Sequence, residues 1–535
     1  MKKNTGRRNF LKATAQAGAF AALNSSIPVP AQTKSFELEE ITIAQLQEGM
    51  KSGKFTARSI TEMYLSRITE IDQRGPKINS IIELNPDALS IAEQLDQERK
   101  SGKIRGALHG VPILLKDNID TGDKLQTTAG SLALAGSTAP RDAFLAEKLR
   151  AAGAIILGKT NLSEWANFRS SKSISGWSGR GGLTRNPYAL DRNTSGSSAG
   201  SGAATAANLC AISIGTETDG SIVSPASCNS LVGIKPTLGL VSRAGIIPIA
   251  HSQDTAGPMT RTVTDAAILL GAITGIDPRD AATANSRGRF LNDYTRFLDA
   301  NGFQGARIGM VKNYFGFSDR VDKIINEAVA VIKRLGATVI EVELPNKGKY
   351  EDAEFEVLLF EFKADLNAYL ATRGTNSLVK NINDVIAFNE KNRDRELQFF
   401  NQDTMIKAAN KGDLNSPAYK QALAKTKRMT QAEGLDAVLS KHKLDALVAP
   451  TDGIPWLTDF INGDHFSGGC STPPAVSGYP HVTVPAGYIY GLPLGVSFFG
   501  TAWSEGKLIK YAYAFEQATK HRQTPKFLAS VNLAS

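Results

Sequence analysis

Two serine- and glycine-rich segments lie near the middle of the 535-residue chain: residues 195–202 read SGSSAGSG and residues 215–222 read GTETDGSI. An alanine-rich stretch and a short apolar run separate them, so both segments are expected in or beside the core rather than on the surface. Buried hydroxyl groups need hydrogen-bond partners. A cluster of serines in such a place therefore indicates a functional site.

The sequence around these segments predicts an α/β fold. From residue 106 to about 275, short apolar runs alternate with glycine-rich loops and alanine-rich stretches, a pattern typical of strands covered by helices. The apolar runs that predict strands are residues 113–115, 154–157, 212–214, 307–311, 338–342, 446–450, 481–485 and 495–500. Charged, glycine-poor sequence at about 350–440 predicts a helical insertion that shapes a substrate cleft, and a closing helix is expected from about 504 to 519.

Two familiar motifs occur here without their structural context. Residues 153–160, GAIILGKT, match a phosphate-binding loop, but a predicted helix precedes them and the residues between the glycines form a predicted strand. Residues 196–200, GSSAG, match the nucleophile elbow of α/β-hydrolases, but no apolar strand precedes them. The elbow hypothesis keeps a histidine candidate in His481, so it stays open as the weaker alternative.

The two serine-rich segments, together with four others, resemble the amidase signature family. The other segments are residues 110–118 (GVPILLKDN), 233–237 (GIKPT), 254–259 (DTAGPM) and 478–500. The resemblance covers nearly all of residues 38–523, and residues 241–254 and 388–390 resemble the peptide amidase branch. It implies one large domain with a mixed, mainly parallel central sheet covered by helices. It also implies hydrolysis of a carboxamide bond without a cofactor or metal.

The resemblance assigns three catalytic roles. Ser221 corresponds to the nucleophile, Ser197 to a bridging serine that follows a cis peptide bond after Gly196, and Lys116 to the base. A serine hydroxyl needs a base before it can attack a carbonyl, and a lysine serves only when its amine is neutral. Lys116 follows three apolar residues at a predicted strand end, where desolvation favours the neutral amine. The alternative is a surface lysine paired with Asp117.

The resemblance also implies an oxyanion hole made of backbone N–H groups. These come from Thr218, Asp219 and Gly220, together with Ser221. The chain departs from the commoner family pattern by placing Asp219 where glycine usually stands. Its side chain either crowds the oxyanion hole or points away from it and orders the loop, and the sequence leaves both possibilities open.

The N-terminus carries the three parts of an export signal. Two arginines, Arg7 and Arg8, precede a moderately apolar run at residues 13–23, and a small-residue cleavage site follows at Ala31. The paired arginines followed by Phe-Leu-Lys are typical of twin-arginine signals. The run is shorter than the roughly 20 residues that an anchor needs. The sequence therefore predicts a signal peptide at residues 1–31, an amidase domain at 32–535, and a periplasmic or secreted product without a membrane anchor.

Composition excludes several other classes of protein. The net charge is +9, but residues 1–31 contain five basic residues and no acid, so the remainder carries only +4. That value and the absence of an arginine-rich tract argue against a nucleic-acid partner. The six histidines show no metal-ligand spacing, so no metal site is expected. The three cysteines allow at most one disulfide.

Three functions remain under consideration. The first is an exported amidase that releases ammonia from small amides or C-terminal peptide amides. The second is a glutamyl-tRNA amidotransferase A-type subunit, which the export signal disfavours because its partners are cytoplasmic. The third is a non-catalytic binding protein of the same fold, which the intact catalytic positions disfavour.

Overall fold

A computed structural model describes residues 36–533 of the chain. Residues 36–39 form a short turn in which the Glu39 N–H donates to the Phe36 carbonyl (2.9 Å). The described residues from 40 onward form one compact unit. The signal peptide predicted at residues 1–31 lies outside the described residues.

Residues 36–533 contain sixteen α-helices and thirteen strands. The helices are α1 (Ile43–Lys51), α2 (Ala57–Arg67), α3 (Ala88–Lys100), α4 (Phe144–Ala151), α5 (Ala199–Ala206), α6 (Val223–Cys228), α7 (Val263–Ile273), α8 (Asp319–Arg334), α9 (Glu351–Thr372), α10 (Ile382–Lys391), α11 (Arg393–Glu396), α12 (Asp403–Ala409), α13 (Pro417–Thr430), α14 (Asp436–Lys441), α15 (Thr472–Ser477) and α16 (Glu505–Thr519). The strands are β1 (Ile81–Leu84), β2 (Pro112–Lys116), β3 (Ile155–Thr160), β4 (Trp177–Ser178), β5 (Gly182–Leu183), β6 (Ile212–Glu217), β7 (Val232–Lys235), β8 (Thr255–Thr260), β9 (Arg307–Val311), β10 (Thr338–Val342), β11 (Ala446–Pro450), β12 (His481–Ile489) and β13 (Leu492–Phe499).

Eleven of these strands form one mixed sheet in the order β1-β3-β2-β6-β8-β7-β12-β13-β11-β9-β10. The mixed α/β fold is confirmed, but the expectation of a mainly parallel sheet is wrong. Parallel pairs join β2 to β3 and β6, and β9 to β10 and β11. The six other neighbouring pairs are antiparallel. One reason is visible at β12 and β13, which only Tyr490 and Gly491 separate, because so short a connection joins antiparallel strands.

The segment from 351 to 441 is helical and packs against the loops that border the serine-rich segments. Leu359, Phe362 and Leu366 of α9 lie in one buried apolar cluster with Trp165 and Ile249. Trp165 follows β3, and Ile249 lies in the loop before β8. Helix α9 thus covers the edge of the sheet at which β2 and β6 end.

Two further features concern membrane crossing and cysteine pairing. None of the helices within residues 36–533 combines the length and apolar character needed to cross a membrane. Cys210, Cys228 and Cys470 are all buried and free. The single disulfide that the sequence allowed is therefore not formed.

Candidate active site

Strand register brings the predicted lysine and the two serine-rich segments to one edge of the sheet. Lys116 is the last residue of β2, and β2 runs parallel to β6, which ends at Glu217. The carboxyl ends of neighbouring parallel strands open to the same side, where α/β proteins place their ligands. Ser221 follows β6, and Ser197 lies just before α5.

Lys116 is completely buried and its amine faces neutral oxygens. Its Nζ lies 2.7 Å from Ser197 Oγ, 2.8 Å from Thr216 Oγ1 and 3.2 Å from the Thr216 carbonyl oxygen. Burial lowers the pKa of Lys116 to about 7, and the negative charges of Asp254 and Glu217 oppose this shift. A substantial neutral fraction can therefore accept a proton near neutral pH. The alternative of a surface lysine paired with Asp117 is wrong, because the side chain is 0% exposed.

The Ser197 loop is held tightly by neighbouring backbone. The Gly196–Ser197 peptide bond is cis, as the family resemblance implies. A Cβ at position 196 would lie 2.2 Å from Ser163 Oγ, so a larger residue there would require the Ser163 side chain to move. The Ser163 N–H donates to the Ser197 carbonyl (3.1 Å), and the Ser198 N–H donates to the Ser221 carbonyl (3.3 Å). The last bond joins the loop of the bridging serine directly to that of the expected nucleophile.

Buried carboxylates shape the loop that carries Ser221. Glu217 Oε2 accepts the N–H groups of Ile222 (2.8 Å) and Val223 (3.1 Å). Thr218 Oγ1 donates to Asp254 Oδ1 (2.5 Å), and burial raises the pKa of the Asp254 carboxyl to about 6. Gly220 has a φ of +79°, which glycine adopts without strain. The loop thus turns sharply just before Ser221.

The side chain of Asp219 orders this loop. Its carboxylate accepts a hydrogen bond from the Ser471 hydroxyl, next to the first residue of α15. Burial raises the pKa of the Asp219 carboxyl, while hydrogen bonds from Ser471 and Thr472 oppose that rise. Of the two possibilities left open by the sequence, the structure favours an ordering role.

A cavity of about 360 Å³ lies on the lysine side of the site. Its wall includes Asn118, Thr216, Thr218 and Asp254, but neither Ser197 nor Ser221. Asn118 Nδ2 donates to Thr216 Oγ1 (2.9 Å), the same oxygen that Lys116 contacts. Thr216 therefore both lines the cavity and contacts the lysine amine.

The structure supports neither Ser198 as the nucleophile of an elbow motif nor residues 153–160 as a phosphate-binding loop. The Ser198 hydroxyl donates to the Thr216 carbonyl (3.1 Å), whereas the His481 ring faces Ser497 Oγ (2.5 Å). Burial lowers the pKa of His481 to about 3. Lys159 of the phosphate-loop motif lies in β3, and its amine donates to carbonyls of the core, including that of Ile119 (2.7 Å).

One group in the described part of the chain has the residue types of a metal site. It consists of His251, which lies in the loop before β8, and of Glu361 and Asp365, which lie four residues apart in α9. Hydrogen bonds already engage these side chains: His251 Nδ1 lies 2.8 Å from Asp365 Oδ2, and the Tyr419 hydroxyl donates to Glu361 (2.7 Å). The arrangement is a hydrogen-bonded network, and two of its members, His251 and Asp365, line the cavity.

Other residues around the site were not singled out from the sequence. Asn118, Thr216 and Asp254 all lie inside the quoted family segments, so position within those segments was an available signal. Asp452, which contacts the helix after Ser221, lies outside every such segment. It could be found only from the fold.

Comparison with known proteins agrees with this geometry. The family model described as Amidase matches residues 59–509. The chain is 43% identical to a probable amidase of Arabidopsis thaliana, over 93% of each chain. It is 34% identical to the A-type subunit of the glutamyl-tRNA(Gln) amidotransferase of Thermoanaerobacter pseudethanolicus, over 92% of this chain and 99% of that one. A crystal structure of a peptide amidase with the competitive inhibitor chymostatin matches with a TM-score of 0.89 and 50% identity, over 91% of this chain and 99% of that one.

Proposed function

The chain belongs to the amidase signature family, and on this premise we propose that it hydrolyses C-terminal peptide amides with Ser221, Ser197 and Lys116. It is an amidase, a hydrolase that acts on amides. The observation that carries the residue roles is the buried amine of Lys116, which lies 2.7 Å from Ser197 Oγ. The proposed substrate class draws support from the 50% identity to a peptide amidase.

Acylation begins with proton movement through the bridging serine. The neutral Lys116 amine takes the proton of Ser197, and Ser197 takes that of Ser221 as Ser221 Oγ attacks the amide carbon. Backbone N–H groups of Thr218, Asp219 and Gly220 are the proposed donors to the developing oxyanion, and one such donor is typically worth about 2.7–4 kcal/mol. The proton then returns through Ser197 to the amide nitrogen. The C–N bond breaks, and ammonia leaves.

Deacylation uses the same groups in the same order. Water gives a proton through Ser197 to Lys116 and attacks the acyl-Ser221 carbonyl. Collapse of the second tetrahedral intermediate breaks the ester bond and returns the proton to Ser221. Acylation and deacylation together convert one amide and one water to one carboxylic acid and one ammonia.

The test is ammonia release from a panel of amides. The panel contains C-terminal peptide amides, free asparagine and glutamine, and aryl acetamides. Wild type is expected to prefer the peptide amides, and Ser221→Ala is expected to release no ammonia above background. Ser171→Ala, which changes an exposed serine, is the matched control and should retain wild-type rates.

Three outcomes would contradict the proposal. Undiminished release by folded Ser221→Ala would remove Ser221 from its role as nucleophile. Release that requires an amide-accepting tRNA and a second, co-purified protein would favour the amidotransferase alternative. No release from any amide by folded wild type would favour the non-catalytic binding protein.

We also propose that the protein is exported. The support is the sequence of residues 1–31, with its paired arginines, apolar run and small-residue cleavage site. The expected location is the periplasm or the medium, after cleavage near Ala31.

A further inference from the structure

Asp452 is a buried carboxylate that the reaction steps above do not use. It follows β11, is 1% exposed, and forms no ion pair within the described part of the chain. Its oxygens accept hydrogen bonds from the hydroxyls of Ser224 and Ser227, and Cys228 Sγ lies 3.9 Å away. Burial raises the pKa of this carboxyl to about 7, and these neighbours oppose the rise. A buried carboxylate without a counter-ion is costly, so the hydrogen bonds that stabilise it are where a specific role is expected.

One of its two serine partners leads to both catalytic loops. Ser224 lies in the first turn of α6, three residues after Ser221, and its N–H donates to the Gly220 carbonyl (2.8 Å). Its Oγ also lies 2.6 Å from Ser195 Oγ. Because the Ser224 hydroxyl gives its proton to Asp452, Ser195 is the donor in that bond. Ser195 directly precedes the cis Gly196–Ser197 bond.

The Ser195 hydroxyl therefore donates to Ser224 Oγ, and the Ser224 hydroxyl donates to Asp452. We propose that Asp452 is a positioning residue that acts through Ser224 and Ser195 to fix the spacing between Ser197 and Ser221. The inference rests on the proposed function, because it takes Ser197 and Ser221 as the proton-relay pair. It adds a residue from a distant part of the chain to the machinery of acylation.

The second branch from the same carboxylate supplies a matched control. Ser227 Oγ donates to Asp452 Oδ1 (2.7 Å) and accepts the Gly495 N–H (2.9 Å) in β13. This branch ties Asp452 to the sheet and does not include either catalytic loop. Ser224→Ala and Ser227→Ala each remove one hydroxyl from the same carboxylate, so they cost comparable stability. Only the first breaks the connection to Ser195.

The test compares Ser224→Ala, Ser195→Ala, Ser227→Ala and Asp452→Asn in the full chain. For each variant we measure kcat and KM on a peptide amide, the labelling rate of Ser221 by a fluorophosphonate, and the melting temperature. Displacing reacting groups by about 1 Å costs on the order of 100-fold in rate. Ser224→Ala is therefore expected to lose about 10- to 100-fold in kcat and in labelling rate, with KM within about 3-fold of wild type. Ser227→Ala should stay within about 3-fold of wild type in both.

In the proposed arrangement Ser195 reaches Asp452 only through Ser224. The activity of the double variant therefore gives a second readout. The Ser195→Ala/Ser224→Ala double variant should lose no more activity than Ser224→Ala alone, whereas independent effects would multiply. Equal losses in Ser224→Ala and Ser227→Ala, or multiplicative losses in the double variant, would overturn the inference. If Asp452→Asn fails to fold, the serine variants decide alone. Wild type that labels at Ser221 but hydrolyses no peptide amide would overturn the substrate class while leaving the labelling comparison valid.

Discussion

At the scale of single residues, the proposed mechanism depends on the ionisation state of Lys116. The amine is enclosed by hydroxyl and carbonyl oxygens, and desolvation favours its neutral form more than the nearby carboxylates favour its charged form. Because only the neutral amine can take the proton from Ser197, activity should follow its deprotonation. We therefore expect the enzyme to work at neutral and mildly alkaline pH.

The first prediction is an acid limb in the pH–rate profile. Burial lowers the pKa of Lys116 to about 7, so kcat/KM should fall about tenfold for each pH unit below that value. The measurement uses a peptide amide without titratable side chains between pH 5 and 9. Lys116→Met should abolish the activity at every pH. A profile that stays flat from pH 8 to pH 5.5 would exclude Lys116 as the base.

The second prediction concerns Asp254, whose charge raises the pKa of Lys116. Asp254→Asn removes that charge, so the pKa of Lys116 should fall further and the acid limb should move to lower pH. The variant should also lose kcat, because Asp254 orients Thr218 and accepts the N–H groups of Ile249 (2.8 Å) and Ala250 (2.9 Å). The measurement is the same pH–rate profile.

Asp265→Asn is the control for this substitution. Asp265 is also buried, and burial raises the pKa of its carboxyl to about 6, but it lies in α7 and accepts the Ile43 N–H (3.1 Å). Its removal should lower stability without moving the acid limb. A limb that moves equally in both variants, or not at all in Asp254→Asn, would contradict the assigned electrostatic coupling.

At the scale of elements, a buried ion cluster fastens the helical segment to the sheet. Arg169 and Glu164 follow β3, whereas Glu396 is the last residue of α11, and all three side chains are 0% exposed. Arg169 Nη1 lies 2.8 Å from Glu164 Oε1 and 3.6 Å from Glu396 Oε2. Its guanidinium also lies 4.1 Å from the centre of the Phe400 ring. The cluster holds the helices against loops that border the active site.

The third prediction is that Arg169→Met destabilises the fold by about 3–5 kcal/mol, because it breaks the buried contacts of Arg169 with Glu164 and Glu396. Urea unfolding at pH 7 measures the change. Arg393→Met is the matched control, since Arg393 pairs with Glu390 at the exposed surface, where such pairs are worth about 0–1 kcal/mol. Equal effects of the two substitutions would show that the buried cluster does not hold the helical segment.

Element positions were predictable from the sequence where apolar runs were sharply bounded. The runs at 307–311, 338–342 and 446–450 coincide with β9, β10 and β11. The sequence does not predict β8 as a strand, because Gly257 and Pro258 interrupt its apolar pattern. Strand direction was mispredicted, since it depends on how distant segments pair and not on local composition.

The same limit applies to the site. Ser197 and Ser221 lie in serine- and glycine-rich segments that the sequence alone singles out, whereas Lys116 and the three catalytic roles come from the resemblance to the amidase signature family. The fold brings all three residues to one edge of the sheet. Asp452 has no local signal, because a single aspartate after an apolar strand is common. Its contact with Ser224 exists only because β11 and α6 meet in the folded chain.

At the scale of the whole molecule, positive charge is concentrated at the start of the chain. Five of the basic residues that produce the net charge of +9 lie in residues 1–31, which contain no acid. The site residues all lie beyond residue 100, in the compact unit that starts at residue 40. Export and catalysis should therefore be separable by substitution.

The final prediction is that Arg7→Lys/Arg8→Lys keeps the protein in the cytoplasm while leaving its amidase activity intact. The change conserves charge but removes the planar guanidinium groups, which lysine does not replace. The measurement is ammonia release from peptide amides in periplasmic and cytoplasmic fractions of a host with twin-arginine export. Lys2→Arg/Lys3→Arg, which also conserves charge, should leave export unchanged. Because every site residue lies outside residues 1–31, retained activity in the cytoplasmic fraction is part of the expectation. Normal export of the Arg7→Lys/Arg8→Lys variant would overturn the twin-arginine assignment, and loss of activity in both fractions would mean that the leader contributes to the fold.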